Sequence, residues 1–187
     1  MAFSTASAAQ GAAGTKVDND NDPRAHASII YSRLYLGGIN ALEALMRATP
    51  VEQADWCVLT FLAPDEYYET VDRVCAAAHH KFAVDDAPHT DLSAHFSRAH
   101  ELIESALARG QCVLVHCAEG TSRSPTVVCA HLMFKRGIDA FDALDTVKSL
   151  RPQINPSPTF RCQLMALSLT LAPSSLTRGM YCDHSRF

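Results

Sequence analysis

The sequence has little of what directs a chain to a membrane, to nucleic acid or to the cell exterior. No apolar run reaches the length of a transmembrane helix, and no charged N-terminal segment precedes an apolar core as in a signal peptide. Ala2 stands where N-myristoylation requires glycine, and Cys182 is wrongly spaced for prenylation. The net charge is only −4, so the charge balance does not favour binding to nucleic acid or to a membrane. We therefore expect neither kind of partner.

The seven cysteines form no regular pattern. An odd number without fixed spacing predicts reduced thiols rather than a disulfide framework, and therefore a cytoplasmic or nuclear location. No spacing of cysteine and histidine is typical of a zinc site, and His79 and His80 are interpreted as an exposed helix end. The sequence thus predicts no metal and no other cofactor.

Apolar residues, in contrast, are plentiful. They make up 48% of the 187 residues, which is enough to fill one core and favours one domain. Residues 1–27 differ, because Ala, Ser, Gly, Asp and Asn predominate there and large apolar side chains are almost absent. Such a stretch buries too little surface to offset its ordering entropy, which predicts a disordered tail. We place the domain at residues 28–172 and a C-terminal extension at residues 173–187.

Strand and helix patterns alternate along the domain. Short apolar runs predict strands over residues 29–36, 56–61, 81–85 and 112–115. Helical spacing and the N-cap residues Asn40, Asp65, Asp91 and Ser157 predict helices over residues 41–47, 66–80, 92–108, 123–136, 139–150 and 159–171. This alternation predicts an α/β fold in which helices flank a mostly parallel central sheet. Ligands of such sheets bind beyond the carboxyl ends of the strands.

The fourth predicted strand leads into a segment that combines a nucleophile with an anion site. Cys117 follows shortly after this strand, and Arg123 comes after five intervening residues, at the start of a predicted helix. The free N–H groups and the positive dipole end of a helix N-terminus attract anions, and the Arg123 guanidinium matches two phosphate oxygens. Gly120 allows the backbone to turn and to approach a ligand closely. The same field favours the Cys117 thiolate over the thiol, so one loop is expected both to bind and to attack a phosphate.

A four-residue pattern, His-Cys-x5-Arg-Ser, extends over this segment as His116, Cys117, Arg123 and Ser124. It resembles the cysteine-dependent protein tyrosine phosphatases, and most closely the small, atypical members of their dual-specificity branch. Further matches to that branch lie in the same order along the chain, at residues 34–37, 84–86, 91–92, 96, 151–152, 155–156, 160 and 163–164. The resemblance covers residues 28–172 and implies a dual-specificity phosphatase-like fold.

The resemblance implies a mechanism with a covalent cysteinyl-phosphate intermediate. Cys117 is then the nucleophile, Arg123 binds the phosphate, and a carboxylic acid protonates the leaving group. By resemblance to the acid loop of the family this acid is Asp86, although the residues alone do not separate it from Asp85, because neighbouring residues leave a strand on opposite faces. The same carboxylate would act as a base toward water in the second step.

Two neighbours of the nucleophile have alternative interpretations. Ser124 hydrogen-bonds the departing Cys117 sulfur, caps the N-terminus of the helix, or does both. His116 is most simply a core histidine, whereas the resemblance implies that it orients the loop and holds the thiolate without transferring a proton.

The resemblance also implies that the phosphate is bound by the loop residues Ala118, Glu119, Gly120, Thr121, Ser122 and Arg123. Glu119 departs from the family, which commonly has alanine there, and an inward carboxylate would repel a bound dianion. Side chains in such a loop tend to point outward, so we expect Glu119 to contact substrate or to pair with a neighbouring base. A detuned or specialised enzyme is the alternative.

The loop further indicates the class of substrate. Phosphoinositide phosphatases of this superfamily tend to carry lysines inside the loop, whereas the variable positions here are uncharged or acidic. The expected activity is therefore hydrolysis of phosphotyrosine and phosphoserine or phosphothreonine on a phosphorylated protein. Arg151 either contacts a second phosphate of the substrate or is a cation at a helix end. The alternative function is a pseudophosphatase that binds phosphopeptides without turnover; a rhodanese-like enzyme is disfavoured, because it should lack the acid loop and Gly120.

Overall fold

A five-stranded sheet organises the part of the chain that the computed structural model describes, namely residues 22–66, 71, 73, 76 and 78–171. The strands are β1 (Ala27–Tyr31), β2 (Leu34–Gly37), β3 (Trp56–Leu62), β4 (Ala78–Ala83) and β5 (Cys112–His116). The α-helices are α1 (Ile39–Arg47), α2 (Pro50–Ala54), α3 (Phe96–Ala108), α4 (Arg123–Arg136), α5 (Ala140–Leu150) and α6 (Pro158–Leu171). Short 3-10 turns lie at Pro23–Ala25, Pro64–Glu66 and Ser93–His95. None of the helices in these ranges is long and apolar enough to cross a membrane.

The strands are ordered β1-β2-β5-β3-β4 across the sheet. Strand β1 is antiparallel to β2, and the other neighbouring pairs are parallel. This confirms the predicted α/β fold with a mostly parallel sheet flanked by helices. In the register of the sheet His116 at the end of β5 pairs with both Gly37 of β2 and Thr60 of β3. The carboxyl ends of the parallel strands therefore meet at one edge of the sheet, with the end of β5 in its middle.

Alternating side chains give the sheet two buried faces. On β3, Cys57, Leu59 and Phe61 belong to the larger core, which also contains buried side chains of helices α3 to α6. On the opposite face, Trp56, Val58 and Leu62 of the same strand pack with α1, beside Leu114 of β5. Since β5 is covered on both sides, the loop that leaves it toward α4 begins from a rigid position.

Three predictions about individual elements are wrong. Residues 29–36 form an antiparallel β1–β2 hairpin instead of one strand, because Ser32 turns the chain with a positive φ of 46°. Asn40 lies inside α1, since Gly38 occupies the N-cap and the N–H of Ile39 donates to Ala118 O at 2.8 Å. His79 and His80 lie in β4, where parallel pairing with β3 satisfies their backbone, and are not a helix end.

Most other predicted elements agree with the structure to within a few residues. These are the strands over 56–61 and 112–115 and the helices over 92–108, 123–136, 139–150 and 159–171. Helix α2, which begins with a capping box between Thr49 and Glu52, was not predicted. Most of the predicted helix over 66–80, the first 21 residues of the predicted tail and the C-terminal extension lie outside the described residues.

Candidate active site

Cys117 lies directly beyond the carboxyl end of β5 and is 2% exposed. Its Sγ atom accepts a hydrogen bond from the N–H of Gly120 and another from the hydroxyl of Ser124, both at 3.3 Å. Ser124 is thus placed to donate a hydrogen bond to the sulfur, which is the first of its two interpretations. It does not cap the helix, because the N-cap position of α4 is occupied by Ser122.

The backbone carbonyls of the phosphate loop, which we define as residues 117–122, are bonded on its outer side. Ile39 N–H donates to Ala118 O at 2.8 Å and Asn155 N–H donates to Thr121 O at 2.6 Å. Arg151 donates to the two carbonyls between them. The described peptide bonds are trans, and the N–H of a trans peptide points away from its carbonyl. The N–H groups of the loop therefore face inward, toward Sγ, and form an anion cradle.

Two glycines permit the close approach of this loop to the end of β2. Gly120 has a φ of +72°, and a Cβ atom on it would lie 2.5 Å from the backbone carbonyl of Gly37. A Cβ on Gly38 would lie 2.8 Å from the backbone carbon of Glu119. Both distances are shorter than real Cβ contacts, so alanine at either position would displace the loop. The predicted need for glycine at position 120 is confirmed.

Arg123 opens α4 and is 4% exposed. Its Nη1 atom hydrogen-bonds Glu66 Oε2 and Val84 O, the latter at 3.0 Å, and Nη2 donates to Glu66 Oε1 at 2.9 Å. Glu66 thus occupies one edge of the guanidinium fork. The Nε atom at the other edge is buried and has no hydrogen-bond partner among the described residues, which leaves that edge for a ligand.

Glu66 was missed by the sequence analysis. The signal that could have found it is position: it is an acidic residue four places after the buried strand β3, at the sheet edge from which Cys117 emerges. The hydrogen bond from Arg123 holds the pKa of the Glu66 carboxyl below its usual value. Glu66 therefore stays ionised and fixes the charge and the orientation of Arg123.

His116 is fully buried and takes part in a short chain of hydrogen bonds. Its Nδ1 contacts Cys117 O at 3.2 Å, and its Nε2 contacts Thr60 Oγ1 at 2.6 Å. Burial lowers the pKa of His116 to about 4, so the ring is neutral near pH 7. A carbonyl can only accept, so Nδ1 carries the hydrogen, Thr60 donates to Nε2, and His79 Nε2 donates to Thr60 at 2.8 Å. This geometry matches the predicted part of His116 in orienting the loop.

The two candidate acids differ in their surroundings. Asp86 Oδ1 accepts a hydrogen bond from the Ser122 hydroxyl at 3.0 Å, so this carboxylate lies against the phosphate loop. The carboxylate of Asp85 is exposed and has no hydrogen-bond or ion-pair partner among the described residues. The backbone between β4 and the acid loop is also held in place, because Val84 O accepts from Arg123. The structure therefore brings Asp86, and not Asp85, into contact with the loop.

Glu119 and Arg151 have opposite environments. Glu119 is exposed, as expected for an outward side chain, but its carboxylate accepts a hydrogen bond from the Thr121 hydroxyl at 3.4 Å and pairs with no base among the described residues. Arg151 is only 7% exposed, and its guanidinium donates to Gly120 O at 3.0 Å and to Glu119 O at 3.4 Å. Arg151 thus braces the phosphate loop from outside, an arrangement that neither interpretation of this residue anticipated. Within the described ranges no group of three or more His, Cys, Asp or Glu residues could hold a metal ion.

Comparison with known proteins yields one consistent family. The model of the dual specificity phosphatase catalytic domain matches residues 67–169. Dual specificity protein phosphatase 1 of Arabidopsis thaliana is 33% identical over 164 residues, which cover 83% of this chain and 74% of that protein. Three other curated relatives match over 79 to 98 residues, and these alignments span between 9% and 47% of their length.

Similar solved structures belong to the same family. Human DUSP28 is 29% identical with a TM-score of 0.66, and the match covers 78% of this chain and 94% of that chain. A mouse putative dual specificity phosphatase complexed with zinc tungstate is 27% identical with a TM-score of 0.68, and the match covers 86% of this chain and 94% of that chain. On these grounds the chain belongs to the dual specificity phosphatase family.

Proposed function

We propose that the protein is an active phosphatase that hydrolyses phosphotyrosine and phosphoserine or phosphothreonine on proteins through a cysteinyl-phosphate intermediate. One observation carries the proposal: Cys117 Sγ lies on the inward side of a loop whose N–H groups and whose following arginine form an anion cradle. A nucleophile at the floor of a phosphate site is the requirement for in-line attack on phosphorus.

In the first step the Cys117 thiolate attacks phosphorus, an S–P bond forms, and the bond from phosphorus to the substrate oxygen breaks. The loop N–H groups and Arg123 hold the three equatorial oxygens as charge develops on them. Asp86, which accepts a hydrogen bond from Ser122 of the phosphate loop, donates a proton to the leaving oxygen. The alcohol or phenol product then departs.

In the second step water attacks the phosphorus of the intermediate while the Asp86 carboxylate takes one of its protons. The S–P bond breaks and releases inorganic phosphate together with the Cys117 thiolate. The Ser124 hydroxyl, already 3.3 Å from Sγ, stabilises the departing sulfur. The proton taken from water returns Asp86 to its protonated form for the next cycle.

Two comparisons support an oxyanion ligand and a protein substrate. The mouse relative was crystallised with tungstate, a tetrahedral oxyanion like phosphate. The curated relatives are described as protein phosphatases, and the phosphate loop of this chain contains no lysine or arginine before Arg123 that would favour a polyphosphorylated ligand. The exposed position of Glu119 supports an active enzyme over a pseudophosphatase, because a carboxylate in solvent repels a bound dianion less than a carboxylate inside the cradle would.

The decisive experiment compares the full chain with its Cys117→Ser variant on phosphotyrosine and phosphothreonine peptides, each with and without EDTA. We expect turnover of both peptides by the wild type, no effect of the chelator, and a loss on the order of 10⁴–10⁶-fold in the variant, as for removal of a nucleophile elsewhere. The matched control is Cys162→Ser, which makes the same atomic change at an exposed cysteine on α6. Activity that survives in Cys117→Ser would contradict the covalent mechanism, and turnover of phosphotyrosine alone would contradict dual specificity.

A further inference from the structure

We infer that three exposed carboxylates around the phosphate loop select phosphopeptides that carry basic residues next to the phosphorylated side chain. We call Asp65, Asp85 and Glu119 the acidic rim. The inference rests on the proposed phosphatase function and adds a preference in the sequence of the substrate. It depends on the positions of the three carboxylates, on their lack of neutralising partners among the described residues, and on the contacts that nearby arginines make within the protein.

Each rim residue follows a different strand at the edge where Cys117 emerges. Asp65 comes after β3, Asp85 after β4 and Glu119 after β5, and these three strands are neighbours in the sheet. Each is also adjacent in sequence to a residue that contacts the site. These contacting residues are Glu66, which binds Arg123, Asp86, which accepts from Ser122, and Gly120, which donates to Cys117 Sγ. The rim therefore lies at one edge of the sheet, with Glu119 in the phosphate loop itself and Asp65 and Asp85 beyond the ends of the next two strands, β3 and β4.

The rim carboxylates are exposed and are not neutralised within the described part of the chain. Asp65 and Asp85 have no hydrogen-bond or ion-pair partner there, and Glu119 accepts only from a hydroxyl. The segments that carry them, residues 63–66, 84–91 and 117–122, contain no lysine or arginine. Three negative charges thus face solvent beside a pocket that requires a dianion.

The cations nearest to the rim are largely used within the protein. Arg123 is paired with Glu66, and Arg151 is buried against loop carbonyls. His89 is an exposed residue of the acid loop itself. Arg161 of α6 is exposed and donates to Asn155 Oδ1 at 2.7 Å and to Pro156 O at 2.9 Å. Of these three arginines only Arg161 is exposed, against the three exposed carboxylates of the rim.

This charge distribution separates two tasks. The phosphate is held at short range by N–H groups and by Arg123, whereas the residues beside it in the substrate meet the rim. An extended peptide advances about 3.3 Å per residue, so the first two or three residues on each side lie within about one Debye length of the phosphate, roughly 10 Å at 0.1 M salt. Lysine or arginine there is attracted and glutamate or aspartate is repelled, which gives sequence preference without a change in chemistry.

The test uses two phosphotyrosine peptides that differ only in having lysine or glutamate at the two positions on each side. The readout is the ratio of kcat/KM for the lysine peptide to that for the glutamate peptide, in which the common chemical step cancels. We expect a ratio of about ten at low salt, which falls toward one as screening increases to about 0.5 M. Asp65→Asn, Asp85→Asn and Glu119→Gln should each lower the ratio by about two- to fivefold, the range of an exposed charge pair.

Asp55→Asn is the matched control, because Asp55 is also exposed but precedes β3 at the opposite edge of the sheet, and it should leave the ratio unchanged. Equal rates on both peptides, or a ratio that the three rim variants do not lower, would contradict selection by the acidic rim while leaving the phosphatase function intact. If neither peptide is hydrolysed, the proposed function fails instead. Dissociation constants of the two peptides with Cys117→Ser then test the rim independently, and equal constants overturn it.

Discussion

The phosphate loop and the acid loop lie side by side at one edge of the sheet, but they are held in different ways. Four carbonyls of the phosphate loop are bonded to two separate parts of the chain, the start of α1 through Ile39 and the connection between α5 and α6 through Arg151 and Asn155. The acid loop, residues 84–91, accepts hydrogen bonds from Ser122 at Asp86 and from Arg123 at Val84 O. Its Pro88 and Thr90 carbonyls accept from Thr159 and Gln163 of α6. Both Asp85 and Asp86 are exposed, whereas Cys117 is buried.

The difference follows from what each loop must do. A cradle of backbone N–H groups binds an oxyanion only when its geometry is fixed before the ligand arrives, so its outer carbonyls are all satisfied by the fold. An acid that protonates a leaving group must reach substrates of different shape, and an exposed carboxylate permits this. Substitutions in the two loops should therefore lower phosphatase activity in different ways.

The largest contrast is expected at the acid. Asp86→Asn removes the proton donor and should slow turnover of phosphothreonine and phosphotyrosine peptides by roughly 10²–10⁴-fold, the usual contribution of general acid catalysis. An activated aryl phosphate, whose leaving group needs no proton, should lose much less. Steady-state kcat on a series of leaving groups measures both effects.

Asp85→Asn is the control for this prediction. It makes the same change one residue earlier, at a carboxylate without contact to the phosphate loop, and should leave the dependence on the leaving group unchanged. If Asp85→Asn slows turnover of substrates with poor leaving groups and Asp86→Asn does not, the assignment of the acid is wrong by one residue.

The next effect concerns the arginine that both loops contact. Glu66→Gln removes the charge that fixes the Nη1 and Nη2 edge of Arg123 and should lower kcat/KM by about 10–100-fold, the value of a hydrogen bond to a charged group. The loss should appear on activated and poor leaving groups alike, because it affects phosphate binding and not proton transfer. Asp65→Asn, at the adjacent carboxylate, should leave activity toward a small aryl phosphate near the wild-type value.

Acidification should weaken the same contact. Since the pKa of Glu66 is lowered in the folded state by its hydrogen bond with Arg123, the stability that it contributes is present above its ordinary pKa and is lost as the pH falls through the lowered value. The difference in unfolding free energy between wild type and Glu66→Gln, measured with urea at several pH values, should shrink in that range. A difference that stays constant down to the lowest pH would show that Arg123 does not depend on this charge.

A smaller effect is expected from the outer brace of the phosphate loop. Arg151→Lys keeps the charge but cannot donate to both Gly120 O and Glu119 O in the fork geometry, so kcat/KM should fall by about tenfold, the loss of roughly one charged hydrogen bond. Peptides with one and with two phosphates should lose equally. A larger loss for the doubly phosphorylated peptide would restore the interpretation that Arg151 binds a second phosphate.

The phosphate loop could be predicted from the sequence because its determinants are local. A buried strand, a cysteine, a glycine with positive φ and an arginine at a helix start follow one another within a dozen residues, and the structure brings them together as expected. The partners that hold them could not be predicted, because they are distant in the chain. Glu66 meets Arg123 across 57 positions, and Thr60 meets His116 across 56. Those contacts depend on the strand order, which no spacing in the sequence reveals.

The hairpin at Ser32 and the strand at His79 were mispredicted for a related reason. A mainly apolar stretch of eight residues fits one strand as well as two short ones, and the turn depends on a single residue with positive φ. At His79 and His80 the helical spacing of the preceding apolar residues predicted a helix end, but pairing with β3 selects an extended backbone. Tertiary contacts decided both cases against local preference.

The last prediction uses the thiols to compare the phosphate loop with the rest of the core. The Sγ atom of Cys117 receives two hydrogen bonds, from Gly120 and Ser124, so its thiolate should react first with iodoacetate at mildly acidic pH and be the thiol most readily oxidised by peroxide. Burial raises the pKa of Cys57 to about 11 and that of Cys129 to about 12, which should keep both unreactive.

Mass spectrometry of the singly alkylated protein locates the label, and inorganic phosphate sharpens the result. An anion in the cradle should slow labelling at Cys117 and leave labelling of the exposed Cys162 unchanged, because Cys162 lies on α6 outside the site. Cys162→Ser is the matched control and should retain rapid labelling at Cys117. First labelling at Cys162, or equal labelling of all cysteines, would mean that the inward N–H groups do not stabilise a negative sulfur, and the preformed character of the phosphate loop would then have to be abandoned.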